Sequence, residues 1–229
     1  MPTILVCKGH PCTGKSTLAT HLAQILHWPV CDKDDAKDCL APLIACSSTA
    51  LLGNDVSYDI MFAVAATQLR CGMSVIIDSP CARRALYDRA LNLATQVCAQ
   101  HTIAYITPSS HCTRLCTCDV FAPTANAPQH GARVVLLEVV TSDTNVWRTR
   151  LDHRVQQQQR ADAHTAQLST RSMAHKPQSW AALEALISSY GDALQWSAHV
   201  QPRIEVDTST GGVEDWARPV LQSLHAKKP

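Results

Sequence analysis

Excess charge is the first thing this sequence lacks. Lys and Arg number 20 and Asp and Glu 19, for a formal net charge of +1, so no bulk field draws the chain to nucleic acid or to a membrane surface. Long apolar runs are missing as well. Those present are short and broken by polar residues, well below the roughly 20 residues that a membrane span needs. Thr3-Ile4-Leu5-Val6 already reads as a core strand, which leaves no room for a signal or transit peptide. The expected location is the cytosol. Two nucleotide-protein signatures are also absent. No N-K-x-D or T-K-x-D is present to read guanine, which argues against a GTP switch, and there is no transporter-type L-S-G-G-Q. The chain has no internal repeat, and only Gln156–Gln159 is low in complexity.

What remains suits a core-forming protein. With 229 residues, 46% hydrophobic and 17% charged, the chain is expected to form one domain over 1–229. Its 11 cysteines are odd in number and, with no leader expected, read as reduced thiols used as small apolar residues. Apolar periodicity predicts strands at 3–8, 29–31, 73–78, 132–140 and 203–206, with a shorter candidate at Thr102–Ile106. Helices are expected at 15–27, 36–46, 55–70, from Ser79 and Pro80 to about 99, from Ser142 or Asp143 onward, at 178–190 and at about 212–225. Strands alternating with helices imply a parallel sheet covered on both faces. The Ser/Thr/Pro/Cys-rich stretch 107–131 interrupts the alternation and reads as a loop insertion.

Four motifs carry chemistry. Gly9-His10-Pro11-Cys12-Thr13-Gly14-Lys15-Ser16, followed by Thr17, matches G-x-x-x-x-G-K-[ST] between a strand and an amphipathic helix. Backbone N–H groups of such a loop curl around phosphate oxygens at the positive end of the helix. Lys15 would reach the outer phosphates and Ser16 would offer its hydroxyl to Mg²⁺. Cys12 stands where related loops commonly carry glycine, and a thiol is tolerated there if φ avoids positive values. Asp78 ends a buried strand, placed either to hold Mg²⁺ or its water, or to cap a helix. Ser79 and Pro80 fill the cap role, which leaves Asp78 for the metal. "VCDKDDAKD" puts carboxylates at the end of the second strand, where the crevice of an α/β sheet opens. Asp34 in that run is either a base beside an acceptor hydroxyl or part of a solvated turn in which Asp34 or Asp35 caps the next helix. In "VWRTRLDHR", Arg150 and Arg154 share a helix face, and their guanidiniums suit phosphate oxygens or plain surface solvation. The polar segment after them, through "AHKPQSW", reads as a lid spanning 150–177.

"KGHPCTGKSTLA", "DKDDAKD", "QLRCGMSVIIDSP", "VWRTRLDHR", "HKPQSWAALEAL" and the closing "VDTS" together resemble the small P-loop kinases grouped with zeta toxins, chloramphenicol phosphotransferase and polynucleotide 5'-kinase. The likeness is closer still to a plant and algal branch of that ATP-binding group, and it covers nearly the whole chain except about 107–131. The resemblance implies a three-layer αβα P-loop NTPase fold of the kinase type, with a mostly parallel five-stranded sheet and a helical lid. It implies ATP and Mg²⁺ as cofactors, served by Gly9–Thr17, with Ser16 and Asp78 at the metal. Asp34 falls on the first Asp of the D-D-x-R pattern, where it would accept the proton of the acceptor hydroxyl. Arg150 and Arg154 would be lid arginines, and Asp207-Thr208 would form the turn that approaches adenine, although both residue types also cap helices. Lys37 stands at the Arg of that pattern and keeps the charge without the bidentate fork, which argues against a polynucleotide acceptor.

The activity expected is ATP-dependent transfer of phosphate to a hydroxyl of a small molecule or nucleotide. An ATPase using water and a low-turnover nucleotide-binding regulatory module are the alternatives. Asn54, Ser57, Tyr58, Arg83 and Arg84 are further candidates for the acceptor pocket, or else for packing and surface roles. The cluster His111, Cys112, Cys116 and Cys118 fits zinc spacing only loosely, because no second well-spaced pair follows.

Overall fold

The computed structural model describes residues 1–45, 50–103, 131–164 and 176–225. Along the chain run β1 (Thr3–Lys8), α1 (Lys15–Leu26), β2 (Val30–Asp32), α2 (Lys33–Ala45), α3 (Ala50–Arg70), β3 (Val75–Asp78) and α4 (Arg84–Ile103). After these come β4 (Arg133–Val140), α5 (Thr144–His164), α6 (Trp180–Tyr190), a 3₁₀ run over Gly191–His199, β5 (Arg203–Asp207) and α7 (Val213–His225). The five strands form one sheet in the order β2-β3-β1-β4-β5, and every pairing is parallel.

The central strands are continuous apolar runs because both of their faces are covered. On one face Ile4, Val6, Ile77 and Leu136 meet Tyr58, Met61, Leu69 and Ala90 from α3 and α4. On the other, Leu5, Ile76, Val135 and Leu137 meet Leu18 and Leu22 of α1 and Ala217 and Val220 of α7. Leu18 and Leu22 are four apart, the spacing that sets one helical stripe against a sheet. Register then places the chemistry. Asp78 lies beside Cys7 on one side and beside Asp32 on the other, so two carboxylates and the loop leaving β1 emerge at the same edge of the sheet.

Three expectations are corrected. Ser79 and Pro80 do not open a helix; α4 begins at Arg84. Cys81 takes a left-handed φ of 46°, and Cys81 and Ala82 are buried, so core packing extends this connection before the helix can start. The Pro80 carbonyl accepts a hydrogen bond from Gly9 N–H at 3.3 Å, which spends this segment on the phosphate loop. Helix α2 starts at Lys33, inside the acidic run, because Asp32 Oδ1 accepts the Asp34 N–H at 2.8 Å and acts as the cap in place of Asp34 or Asp35. Thr102 and Ile103 end α4 instead of starting a strand.

The His/Cys cluster at 111–118 and all of the expected insertion but Gly131 lie outside the described residues, as do 165–175 of the expected lid. Among the described residues no helix is long and apolar enough to cross a membrane.

Candidate active site

The phosphate loop is held open by its own geometry and by three neighbours. A Cβ at Gly9 would lie 2.4 Å from the Val139 carbonyl oxygen, so only glycine fits against β4. Gly14 has φ 83° where the loop turns into α1. Cys12 has a left-handed φ of 66°, so the condition set for tolerating a thiol there is not met. Thr13 Oγ1 donates to the His10 carbonyl at 3.0 Å and closes the turn from inside. From outside, Thr208 Oγ1 donates to the Thr13 carbonyl at 2.7 Å, and Trp147 Nε1–H donates to the Pro11 carbonyl at 2.8 Å. With the Pro80 contact, segments from β3, α5 and β5 all grip one loop. Its N–H groups are thereby positioned before any phosphate arrives.

Lys15 Nζ donates to Asp78 Oδ1 at 2.5 Å. Burial alone would lower the lysine pKa, but the Asp78 carboxylate outweighs that and holds it above its ordinary value. Asp32, beside Asp78, is pushed up to about 6, first by burial and then by the Asp78 charge. The Ser16 hydroxyl is exposed at the mouth of the loop. Hydroxyl and carboxylate oxygens are the donors Mg²⁺ accepts, and it commonly takes one or two carboxylates together with phosphate oxygens. Among the described residues no group of three or more His, Cys, Asp or Glu forms a metal cage by itself. The set Ser16, Asp78 and Asp32 therefore fits Mg²⁺ arriving with a nucleotide.

The loop forms one wall of a cavity of about 940 Å³. Asp34 faces it from the N-terminal turn of α2, gripped by Lys33 Nζ at 3.0 Å and by Lys176 Nζ at 2.9 Å. The Lys33 ammonium also sits 5.6 Å from the centroid of the Tyr58 ring. Arg154 lines the same cavity and donates to the Pro177 carbonyl at 2.6 Å, fastening α5 to the chain that leads into α6. His10 stacks between Trp147 and Tyr190, with ring centroids 5.6 and 6.1 Å away. Its pKa is lowered, first by burial and then by the nearby Lys8 charge, so the ring is neutral at pH 7.

The structure thus gathers Gly9–Thr17, Asp34 and Arg154 about one cavity, with Asp78 behind Lys15; of that loop, Thr13 is buried under it. Asn54, Tyr58 and Arg83 line it too. Ser57 instead donates to the Gly53 carbonyl within α3, and Arg84 pairs with Asp88 along α4. Arg150, Asp207 and Thr208 sit on the other flank of Gly14. Arg150 donates to Thr208 Oγ1 at 2.8 Å and to its carbonyl at 2.5 Å, with its guanidinium 5.1 Å from the Trp216 ring centroid. Asp207 is held well down, to about 2; its slight burial works the other way, and hydrogen bonds from Ser142 and Ser209 prevail. Sequence reasoning missed Asp32, Lys33, Lys176 and Tyr190. A strand-end pairing of Asp32 with Asp78 could have been guessed from two runs ending in Asp. Nothing in the sequence links Lys176 to Asp34.

An all-parallel sheet ordered 2-3-1-4-5, with a phosphate loop leaving the central strand, defines a P-loop NTPase of the kinase-type fold. The family described as an AAA domain matches residues 4–114. No curated protein matches the chain. Among solved structures it is similar to a "putative kinase" from Chloroflexus aurantiacus J-10-fl, at 20% identity and TM-score 0.57, covering 96% of this chain and 97% of that one. It is similar to a gluconokinase from Sinorhizobium meliloti 1021 at 15% identity and TM-score 0.52, covering 97% and 91%. A sugar kinase from Janibacter sp. HTCC2649 matches at 12% identity and TM-score 0.52, covering 98% and 95%. At these identities the likeness is one of fold.

Proposed function

We propose that this protein transfers the γ-phosphoryl group of ATP to a hydroxyl of a small acceptor. One observation carries the reading: a single cavity is lined both by the Lys15-bearing loop and by Asp34, at the start of α2. A donor site alone would serve any nucleotide-binding protein; a carboxylate lining the same roomy pocket is what an acceptor hydroxyl needs. The sequence resemblance to small P-loop kinases and the gluconokinase and sugar-kinase folds support the same reading.

In this reading the acceptor oxygen attacks Pγ, the bond from Pγ to the β–γ bridging oxygen breaks, and ADP leaves. Asp34 takes the hydroxyl proton and passes it to solvent. Lys15 and the loop N–H groups hold the β- and γ-phosphates, and Arg154 meets charge on the transferring group from α5. Arg150 acts on the nucleotide side, with Asp207 and Thr208 forming the turn at the base. Ser16 and Asp78, with Asp32 beside them, would hold Mg²⁺, which would supply charge neutralisation to the phosphates. Residues 1–229 serve as one kinase-like domain, and 150–177 as its lid, in the same proposal.

The test is transfer of label from [γ-³²P]ATP across an acceptor library. Label should appear on an organic acceptor. Label found only as inorganic phosphate would favour an ATPase, and no turnover with intact ATP binding would favour a regulatory module. Asp34→Asn is expected to lower transfer by about 100-fold or more with ATP binding retained, and Lys15→Ala to weaken both. Near-normal transfer by the Asp34 variant would remove the base assignment.

A further inference from the structure

The acceptor side of the cavity is electrostatically odd. Lys33 is the first residue of α2, where the helix dipole already presents its positive end and a cation is disfavoured. Lys37 follows four residues later and therefore shares its face, and like charges at that spacing repel. Lys176 comes in from the far side of the chain onto the same spot, within 2.9 Å of Asp34. Arg154 and Arg83 line the same cavity. In all, six Lys and Arg side chains line it against three Asp, in a protein whose whole-chain balance is +1. The Lys37 pKa is lowered, first by partial burial and then by Lys33, with Lys176 adding to the effect and Asp34 and Asp38 opposing it.

In the reading above ATP accounts for Lys15 and Arg154, but not for Lys33, Lys37 and Lys176. Its phosphates have their own partners: the loop N–H groups, the N-terminus of α1 and Lys15. Lys33 and Lys37 belong to α2, beside Asp34, where the acceptor must lie if Asp34 is the base. At the cavity mouth Arg83 and Asp55 approach only to 3.6 Å, with side chains 61% and 70% exposed, so that arginine too is loosely held.

We infer that the acceptor is a small hydroxylated anion, bearing a carboxylate or a phosphate monoester that docks among Lys33, Lys37 and Lys176 beside Asp34. The inference rests on the phosphotransferase reading above and adds the substrate class to it. Docking would work as an exchange of ion pairs. Lys33 and Lys176 are paired with Asp34. An incoming anionic group takes over those ammoniums, and the Asp34 oxygens turn to the acceptor hydroxyl. Water brings no charge to make that exchange, so the same arrangement selects the acceptor over hydrolysis.

The experiment uses the full-length protein with Mg²⁺ and labelled ATP on matched acceptor pairs that differ in one anionic group. Suitable pairs are glycerate with glycerol, a sugar acid with its parent sugar, a sugar phosphate with the same sugar, and a nucleoside 5'-monophosphate with its nucleoside. The anionic member of at least one pair should be phosphorylated with kcat/KM about 100-fold or more above its neutral partner, the scale of several charge-assisted contacts. The carboxylate and phosphate arms say which anion it is. With that acceptor, Lys37→Gln and Lys176→Gln should each raise the acceptor KM about 10-fold while the KM for ATP stays within about 2-fold. Lys37→Arg should recover most of the loss, which a folding defect would not allow. Neutral acceptors phosphorylated as fast as their charged partners would overturn the inference and leave the phosphotransferase standing. So would an acceptor KM indifferent to both lysine substitutions. Label found only as inorganic phosphate across all pairs would overturn the phosphotransferase reading itself.

Discussion

Cys12 holds a φ of 66° at the crown of the phosphate loop, a region that costs a side-chain-bearing residue about 1–2 kcal/mol. The thiol is small enough to live there, but a second branch at Cβ is not. Cys12→Gly should leave ATP affinity unchanged or improved, whereas Cys12→Val should weaken it by about 10-fold or more. Isothermal titration with a non-hydrolysable ATP analogue decides this, and equal affinities for the two variants would mean the loop does not need that conformation. Lys15 and Ser16 were legible from sequence because a phosphate loop is a local object: one backbone turn, one helix start, two side chains. Asp32 was not legible as both helix cap and neighbour of Asp78, since that pairing arises only when β2 settles beside β3.

Elements whose structure follows from local pattern came out as read: β1, α1, β4, α6 and α7 lie within a few residues of their expected bounds. The exception is instructive. Ser-Pro after β3 looks like a helix start, but Cys81 and Ala82 are drawn into the core and α4 begins at Arg84. Helix α5 shows a second kind of unreadable information. Its Trp147 ties the helix to the phosphate loop through the Pro11 carbonyl and packs edge-on against Trp180 of α6 at 5.8 Å. Trp147→Phe keeps an aromatic ring and removes one hydrogen bond. It is expected to lower stability by about 1 kcal/mol and to weaken ATP binding several-fold. Thermal denaturation with and without nucleotide measures both. Loss of stability with nucleotide affinity untouched would confine the residue to packing.

Across the whole molecule, near-neutrality hides strong local imbalance. Buried Lys8 at the end of β1 pairs with Glu138 of β4, which also accepts from Arg203 Nε at 2.7 Å and from Ser197 Oγ at 2.8 Å. Burial alone would raise the Glu138 pKa; the hydrogen bonds from Lys8, Arg203 and Ser197 hold it below the ordinary value of 4.5. A depressed carboxylate contributes stability above its unfolded pKa and loses it as pH falls through the folded value. Glu138→Gln should therefore cost about 3 kcal/mol at neutral pH, since it leaves a buried cation without its counter-charge. The gap from the parent protein should narrow below about pH 4.5. Urea unfolding at pH 7 and at pH 4 tests it, and a gap that does not change with pH would dissociate the stability from the charge.

The sequence by itself determined the parallel αβα plan, the place of the phosphate loop and the identity of its lysine and serine. Those properties follow from periodicity and from a motif that closes on itself within a few residues. Tertiary structure alone decided that Lys176 meets Asp34, that Arg154 lines the cavity while Arg150 turns to the Thr208 side of Gly14, and that three lysines share one corner beside the carboxylate. Side chains so far apart in the chain carry no mutual signal in one sequence, and only the packing of α2, α5 and α6 around the sheet edge brings their charges within reach of each other.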